Sequence, residues 1–276
     1  MRVICVINLK GGVAKTVSAI NIAHILTVKH GKRVLLIDND KQGNTSKFFG
    51  LHSYDNPSIS DVLTVKGYDI RDAIKALEWF LPFETGWQQF HVLPANMSLL
   101  RVNKEILMDT ARPQQTRLKR ALEVLREADL YDYVVIDNAP DLNMSDINAL
   151  VAADDVLIPI KIDRFAFDGL TPLQEQIEEV REFNPKLRIA GGFITMYSRN
   201  NVNMKGEGDL RKNVRLPMFK TVIRKATKVD ETTFLGIPLA AYAKNCTATK
   251  DYISLVEEYL QNVTETITNK GSGGNA

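Results

Sequence analysis

Continuous apolar runs of strand length alternate with stretches of helical periodicity along most of this chain. The runs are rich in valine and isoleucine and mostly lack polar alternation, which is typical of strands buried on both faces of a sheet. This alternation predicts an α/β fold in which helices cover both faces of a mostly parallel, twisted central sheet. We predict strands at Arg2–Asn8, Arg33–Asp38, Phe90–Leu93, Tyr133–Asp137, Asp155–Ile160 and Leu187–Thr195.

The segments between these strands carry the spacing of amphipathic helices. In Thr16–His30, apolar residues recur from Ala19 to Leu26 on one helix face, and Gly31 follows as a stop signal. Further helices are predicted at Ser98–Asp109, Gln114–Ala128, Ser145–Ala152, Gly169–Phe183 and Asp251–Thr268. We assign residues 1–268 to a single domain and expect 269–276, with its Gly-Ser-Gly-Gly run, to be a flexible tail.

Composition excludes several classes of protein. The 276 residues are 45% hydrophobic and 25% charged, as in an ordinary globular domain. No apolar stretch approaches the ~20 residues that a membrane span requires, and a strand follows the first residue directly, which leaves no room for a signal peptide. Cys5 and Cys246 lie too far apart in the chain to form a disulfide framework or a cysteine-rich metal site. We therefore expect a cytoplasmic protein.

A glycine-rich segment lies between the first strand and the first helix. Glycines let backbone N–H groups face an anion, and the helix amino terminus adds a positive dipole. In this segment Lys15 is placed to neutralise the β and γ phosphates of a nucleotide, and Thr16 to offer a hydroxyl to Mg²⁺. The residues expected to surround the phosphates are Lys10, Gly11, Gly12, Val13, Ala14, Lys15, Thr16 and Val17. Taken alone, the same residues could form an ordinary strand-to-helix turn with two exposed lysines.

The segment departs from the strict phosphate-loop pattern G-x-x-x-x-G-K-[ST], because Leu9 and Ala14 occupy its two glycine positions. It does match K-G-G-x-x-K-[ST], in which Lys10 is an additional lysine. A search for the strict pattern would miss this loop.

Carboxylates follow two further predicted strands. Asp38 and Asp40 come at the end of the second strand, and Asp137 ends the run Tyr133–Asp137. The carboxyl ends of parallel strands are where α/β sheets bind ligands. Asp137 has the layout of a Walker B aspartate and is expected to hold Mg²⁺ opposite Thr16. Each aspartate alone could simply terminate a strand, but the three elements occur in the order that a P-loop NTPase-like fold requires.

Together these motifs resemble the deviant Walker A ATPases of the ParA and MinD class. The segment Asp38–Asn44 is similar to the ParA pattern D-x-D-P-Q-G-N, and Asn148–Pro159 and Val92–Asn96 also resemble ParA segments. The resemblance covers nearly the whole chain. Because the first predicted strand begins at Arg2, the chain resembles the shorter Soj-like branch, which lacks an amino-terminal helix-turn-helix domain.

The resemblance implies roles for individual residues, with ATP and Mg²⁺ as cofactors. In this class the additional lysine, here Lys10, reaches across an ATP-sandwich dimer to the partner's nucleotide. Asp40 is expected to orient the attacking water, and Asp38 to lie near the metal or its water shell. Lys41 replaces the proline of the pattern, and Asn138 departs from the residue that usually follows the Walker B aspartate. The predicted catalytic residues are Lys10, Lys15 and Asp40.

A basic segment predicts a second functional surface. Between Arg199 and Lys228 there are nine lysine or arginine residues against two acidic ones. Sequence-independent affinity for DNA comes mainly from such residues meeting phosphates, although a solvated surface has the same composition. The predicted DNA-binding residues are Arg211, Lys212, Arg215, Arg224, Lys225 and Lys228.

In ParA proteins, ATP-bound dimers bind double-stranded DNA without sequence preference, and a ParB-type centromere-binding partner stimulates hydrolysis and release. The resemblance therefore implies a nucleoid-associated partition ATPase with weak intrinsic activity that DNA and the partner stimulate. Two alternatives remain: a MinD-like membrane-positioning ATPase and a nucleotide-gated adaptor or repressor. The final predicted helix is acidic, which disfavours the membrane alternative. An iron–sulfur reductase is excluded because it needs suitably placed cysteine ligands.

Overall fold

The computed structural model describes residues 1–77, 90–164 and 169–272. Within these residues one sheet contains eight strands in the order β3-β4-β2-β5-β1-β6-β7-β8. All neighbouring strands run parallel except β3, which is antiparallel to β4. The strands are β1 (Arg2–Val6), β2 (Val34–Asn39), β3 (Lys75–Ala76), β4 (Phe90–Leu93), β5 (Tyr133–Asn138), β6 (Asp155–Lys161), β7 (Arg188–Tyr197) and β8 (Met218–Arg224). The mostly parallel sheet predicted from the sequence is confirmed.

Helices cover both faces of the sheet. They are α1 (Lys15–Val28), α2 (Asn44–Phe48), α3 (Ile59–Thr64), α4 (Ser98–Met108), α5 (Arg117–Glu127), α6 (Met144–Ala152), α7 (Leu170–Val180), α8 (Asn201–Asn213), α9 (Thr227–Leu235), α10 (Leu239–Tyr242) and α11 (Thr247–Ser272). The six predicted helices are present with shifted ends, whereas α2, α3, α8, α9 and α10 were not predicted. Helix α11 continues to Ser272, four residues beyond the predicted helix end at Thr268, and residues 273–276 of the predicted tail lie outside the described residues.

Alternating side chains of the central strands pack against different helices. Ile4 and Val6 of β1 point to the face that α1 and α11 cover, where Tyr252 and Tyr259 are fully buried. Val3 and Cys5 point to the opposite face, which α3 to α7 cover. Full burial of an aliphatic side chain stabilises the fold by about 1.5–3 kcal/mol. The two cores therefore hold the sheet between two helical layers.

The order of the strands brings the predicted motifs together. Strand β5 lies between β1 and β2, and in the β2–β5 register Asp38 is opposite Asp137. The loops that follow β1, β2 and β5 therefore meet at the same edge of the sheet.

Helix α11 closes the outer edge of strand β8. The carboxylate of Glu258 accepts hydrogen bonds from the backbone N–H groups of Lys220 at 2.7 Å and Thr221 at 3.0 Å. Asp251 accepts one from the N–H of Arg224 at 2.9 Å. An edge strand normally presents such donors to solvent. Here two acidic side chains of α11 satisfy them.

Candidate nucleotide-binding site

The loop between β1 and α1 is anchored to the sheet by Asn8. This buried side chain accepts a hydrogen bond from the N–H of Lys10 at 2.9 Å and donates one to the carbonyl of Pro159 on β6 at 2.8 Å. The hydroxyl of Thr195 on β7 donates to the carbonyl of Val13 at 3.1 Å. Three neighbouring strands therefore position the glycine-rich loop.

Two residues of this loop have left-handed backbone conformations. Gly12 has a φ of +70° and Ala14 a φ of +65°. Such a conformation costs an alanine roughly 1–2 kcal/mol. Ala14 is the N-cap of α1, and no side chain caps that helix end among the described residues. The first N–H groups of α1 thus face the loop, where an anion can accept their hydrogen bonds.

The two lysines of the motif have different surroundings. Lys15 is largely buried, and its Nζ donates to the carbonyl of Lys10 at 2.9 Å. Burial lowers the pKa of Lys15, while Asp137 and Asp40 oppose that shift. Lys10 forms an ion pair with Asp163, just after β6. Lys15 therefore points over the phosphate loop, and Lys10 is held at the rim of the site.

Asp137 is fully buried at the end of β5. One carboxylate oxygen accepts a hydrogen bond from the Thr45 hydroxyl at 2.8 Å, and the other has no hydrogen-bond partner among the described residues. Burial, together with the charge of Asp38, raises the pKa of Asp137, and the hydroxyls of Thr45 and Thr16 oppose this. A nearby cation would stabilise the charged form, so the orphaned oxygen fits a metal beside Thr16.

Within the described parts of the chain, no group of three or more histidine, cysteine or acidic residues has the geometry of a metal site. Mg²⁺ suits this arrangement, because it is usually bound through one or two protein groups plus nucleotide phosphates and water.

Asp38 organises the loop that follows β2. One of its oxygens accepts hydrogen bonds from the N–H of Ser46 at 2.8 Å and the Ser46 hydroxyl at 2.6 Å, and the other from the N–H of Asp40 at 3.1 Å. The Ser46 hydroxyl accepts in turn from the N–H of Ala95 at 2.8 Å. Burial raises the pKa of Asp38 above its ordinary value. These contacts make Asp38 a support for Asp40, a role that was not predicted.

Asp40 lies in a tight turn at the carboxyl edge. Its Oδ1 accepts a hydrogen bond from the N–H of Gln42 at 2.9 Å, and its carbonyl accepts from the N–H of Gly43 at 2.8 Å. Gly43 has a φ of +62°, and a Cβ there would lie 2.9 Å from the carbonyl oxygen of Ala95. The turn therefore requires glycine, and it holds the Asp40 carboxylate near Lys15.

Sequence reasoning missed Thr45 and Ser46, although both support the predicted aspartates. The signal was present, since two hydroxyl residues follow directly after the Asp38–Asn44 segment. Of the other residues predicted to surround the phosphates, Gly11 is exposed and Val17 is partly buried.

The predicted DNA-binding residues fall into two groups. Three of them form ion pairs within the chain. These are Arg211 with Glu207 at 2.9 Å, Arg224 with Asp251 at 2.6 Å and Lys228 with Glu231 at 2.7 Å. Lys212, Arg215 and Lys225 are exposed, and no ion pair involves them among the described residues. These three are better placed to meet a polyanion.

Known proteins match this chain over most of its length. A family model described as an AAA domain matches residues 1–189. The chromosome partitioning protein ParA of Caulobacter vibrioides is 36% identical, and the match covers 94% of each chain. The sporulation initiation inhibitor protein Soj of Bacillus subtilis is 33% identical over 95% of this chain and 99% of its own length.

A solved structure shares the fold over nearly the whole chain. The crystal structure of cobyrinic acid a,c-diamide synthase from Mycobacterium smegmatis with bound ADP and magnesium superposes with a TM-score of 0.79 at 28% identity, covering 95% of each chain. No helix within the described ranges is both long and apolar enough to cross a membrane. From the domain match, the relatives and the geometry of the site, the chain belongs to the ParA/Soj family of P-loop ATPases, within the ParA/MinD superfamily.

Proposed function

We propose that this chain is a partition ATPase whose Mg·ATP-bound form dimerises and binds DNA, and whose hydrolysis ends that state. One observation carries the proposal: the phosphate loop, Asp40 and Asp137 converge at one edge of the sheet. The full-length similarity to ParA and Soj supports the partition role. The diamide synthase is less similar, at 28% identity, so the proposal follows the partition relatives.

The nucleotide would be held mainly by the loop between β1 and α1. Backbone N–H groups of Gly11 to Thr16 and the Nζ of Lys15 would bind the phosphates. Thr16 and Asp137 would hold Mg²⁺, which supplies positive charge that offsets the negative charge developing on the phosphates during transfer. The neighbour crystallised with ADP and magnesium supports this choice of cofactors.

Hydrolysis requires a positioned water and additional positive charge. Asp40, held in its turn by Gly43, would orient the water for attack. Lys10 would leave Asp163 and donate its charge to the nucleotide of a second copy, as an arginine finger does. Dimerisation and catalysis are then coupled, because neither site is complete in a single chain.

Exposed basic side chains would give the dimer its affinity for DNA, and with it an association with the nucleoid. Lys212, Arg215 and Lys225 are the principal candidates, since the other three predicted residues already have acidic partners. A ParB-type partner at the centromere would stimulate hydrolysis and so release the DNA.

The test is binding of an arbitrary DNA duplex by gel shift or surface binding, with ATP, with ADP and without nucleotide. We expect binding with ATP only, and a steep loss as salt rises. Asp40→Ala should keep ATP-dependent dimers and DNA binding but lose turnover. Equal affinity in all three nucleotide states, or normal turnover of Asp40→Ala, would contradict the proposal.

A matched pair of triple variants locates the DNA surface. Replacing Lys212, Arg215 and Lys225 with glutamine should weaken DNA binding and flatten its salt dependence, by a slope of about 0.9 for each phosphate contact removed. The control replaces the exposed Lys104, Arg126 and Lys186 in the same way, with the same loss of charge. Equal weakening by both triples would show a general charge effect and no defined surface.

A further inference from the structure

An ion pair joins the loop that carries Asp40 to the loop that follows Asp137. Lys41 lies between β2 and α2, and Asp141 between β5 and α6. The Lys41 Nζ is 2.5 Å from Oδ2 of Asp141. Their side chains are 25% and 44% exposed, so the pair lies at the outer rim of the site. Neither residue has a part in the proposed hydrolysis.

Asp141 lies within electrostatic reach of the phosphate-binding lysine. The hydrogen bond from Lys41 is the main cause that lowers the pKa of the Asp141 carboxyl, and the charge of Lys15 contributes to the same shift. Conversely, Asp141 is among the carboxylates that oppose the lowering of the Lys15 pKa. A negative charge at this position would attract Lys15 and repel a triphosphate. It therefore needs a counter-charge if nucleotide is to bind well.

We propose that Lys41 is a charge-compensating residue of the nucleotide site, which holds the Asp141 carboxylate at the rim and leaves Lys15 to the phosphates. The inference rests on the proposed binding of Mg·ATP. It assigns a task to the residue that replaces the proline of the D-x-D-P-Q-G-N pattern.

The two loops do not depend on this pair to stay together. Beneath it, the side-chain amide of Asn39 donates to that of Asn138 at 2.8 Å, and Thr45 donates to Asp137 at 2.8 Å. Both contacts are buried. Loss of Lys41 should therefore change the charge at the rim and leave the loops in place, which separates an electrostatic role from a structural one.

A double-mutant cycle tests the inference by measuring the Kd for Mg·ATP of the full chain by isothermal titration calorimetry. Lys41→Met should weaken binding by about three- to fivefold, at the upper end of what a partly exposed charge pair contributes. Asp141→Asn should bind at least as tightly as the unmodified protein. The double variant Lys41→Met/Asp141→Asn should return to within about twofold of it, because the uncompensated charge is gone.

Two further variants refine the result. Lys41→Arg should bind normally, since it keeps the charge, and so should Lys47→Met, which removes an exposed lysine of α2 near the same loop. In steady-state assays Lys41→Met should raise KM with kcat unchanged. The weakening should shrink at high salt, where partly exposed charges are screened.

The outcomes distinguish the inference from the proposed function. Normal binding by Lys41→Met, no recovery in the double variant, or a fall in kcat at constant KM would overturn the role of Lys41 alone. If the unmodified protein does not bind Mg·ATP at millimolar concentration, both the proposed function and the role of Lys41 are wrong.

Discussion

His24 is a titratable side chain placed where its charged form cannot be solvated. It is fully buried on α1, its ring packs edge-on against Phe90, and neither ring nitrogen has a hydrogen-bond partner among the described residues. Burial lowers the pKa of His24 to about 4. The folded protein therefore keeps this imidazole neutral across most of the acidic range.

This gives a pH dependence of stability with a defined sign. Below the ordinary pKa of about 6.5, the unfolded chain binds a proton that the folded chain excludes. The contribution of neutral His24 to the stability of the fold is thus fully present above pH 6.5 and is lost as the pH falls towards 4. His24→Leu should flatten the fall in unfolding free energy between pH 6.5 and 4.5, by up to about 1.4 kcal/mol per pH unit.

Urea denaturation at pH 4.5, 5.5 and 7.5 measures this difference. At pH 7.5 the histidine is neutral in both states, so the comparison there serves as the control for changes in packing. If the free energy of unfolding falls equally with decreasing pH in the variant and the unmodified protein, another group causes the loss of stability in acid.

Among the elements, α8 owes its position to a glycine. A Cβ at Gly206 would overlap the side chain of Ile162, whereas a Cβ at Gly208 would have open space around it. Both residues lie inside the helix, where alanine is normally better than glycine by about 0.5–1 kcal/mol. The two glycines therefore differ in packing and not in propensity.

We expect opposite results from the two alanine variants. Gly208→Ala should raise the free energy of unfolding by about 0.5–1 kcal/mol. Gly206→Ala should lower it by about 1–3 kcal/mol, because α8 must move away from Ile162. Thermal and urea denaturation of the two proteins measures this, and a gain in stability for both would show that α8 does not pack closely there.

Helix α8 is also an element that the sequence did not predict. Strands β1, β2 and β5 and the loop before α1 could be predicted, because buried parallel strands and a glycine–lysine loop leave local patterns. Helix α8 has two glycines and few apolar residues, so its formation depends on contacts with distant residues such as Ile162. Strand β3 is only two residues long and was missed for the same reason.

Predictions of individual roles were limited in a similar way. Asp137 could be placed at the end of a strand, because an apolar run that ends in aspartate is a local pattern. The ion pairs that occupy Arg224 and Lys41 link residues far apart in the chain, and no local pattern reveals them. The aspartates were thus predictable, while the contacts that hold Asp38 and Asp141 required the structure.

For the whole molecule, the ion pair between Lys10 and Asp163 bears on assembly. In the proposed dimer Lys10 must exchange this partner for the nucleotide of a second copy. The pair is about one-third exposed, with side-chain exposures of 28% and 32%, so breaking it costs at most about 1 kcal/mol. Asp163→Asn should remove this cost in both copies, a total of up to about 2 kcal/mol per dimer, and lower the protein concentration needed for half-maximal ATP-dependent dimerisation by up to about thirtyfold.

Analytical ultracentrifugation with a non-hydrolysable ATP analogue measures this shift. Asp129→Asn is a suitable control, since it weakens an exposed ion pair with Arg33 at a distance from the site. Weaker dimerisation of Asp163→Asn would mean that Asp163 takes part in the dimer and does not restrain Lys10.

The carboxylates of α11 that close β8 also limit how copies of this protein can join. A sheet with open donors at its border can recruit the same border of a neighbouring molecule and grow into a continuous ribbon. With Glu258 and Asp251 bonded to that border, strand-to-strand growth there would first require α11 to detach. A filament or cluster on DNA should therefore not grow by pairing of β8 strands, and neighbouring copies should not show the 4.7–4.9 Å strand spacing of a shared sheet at this border.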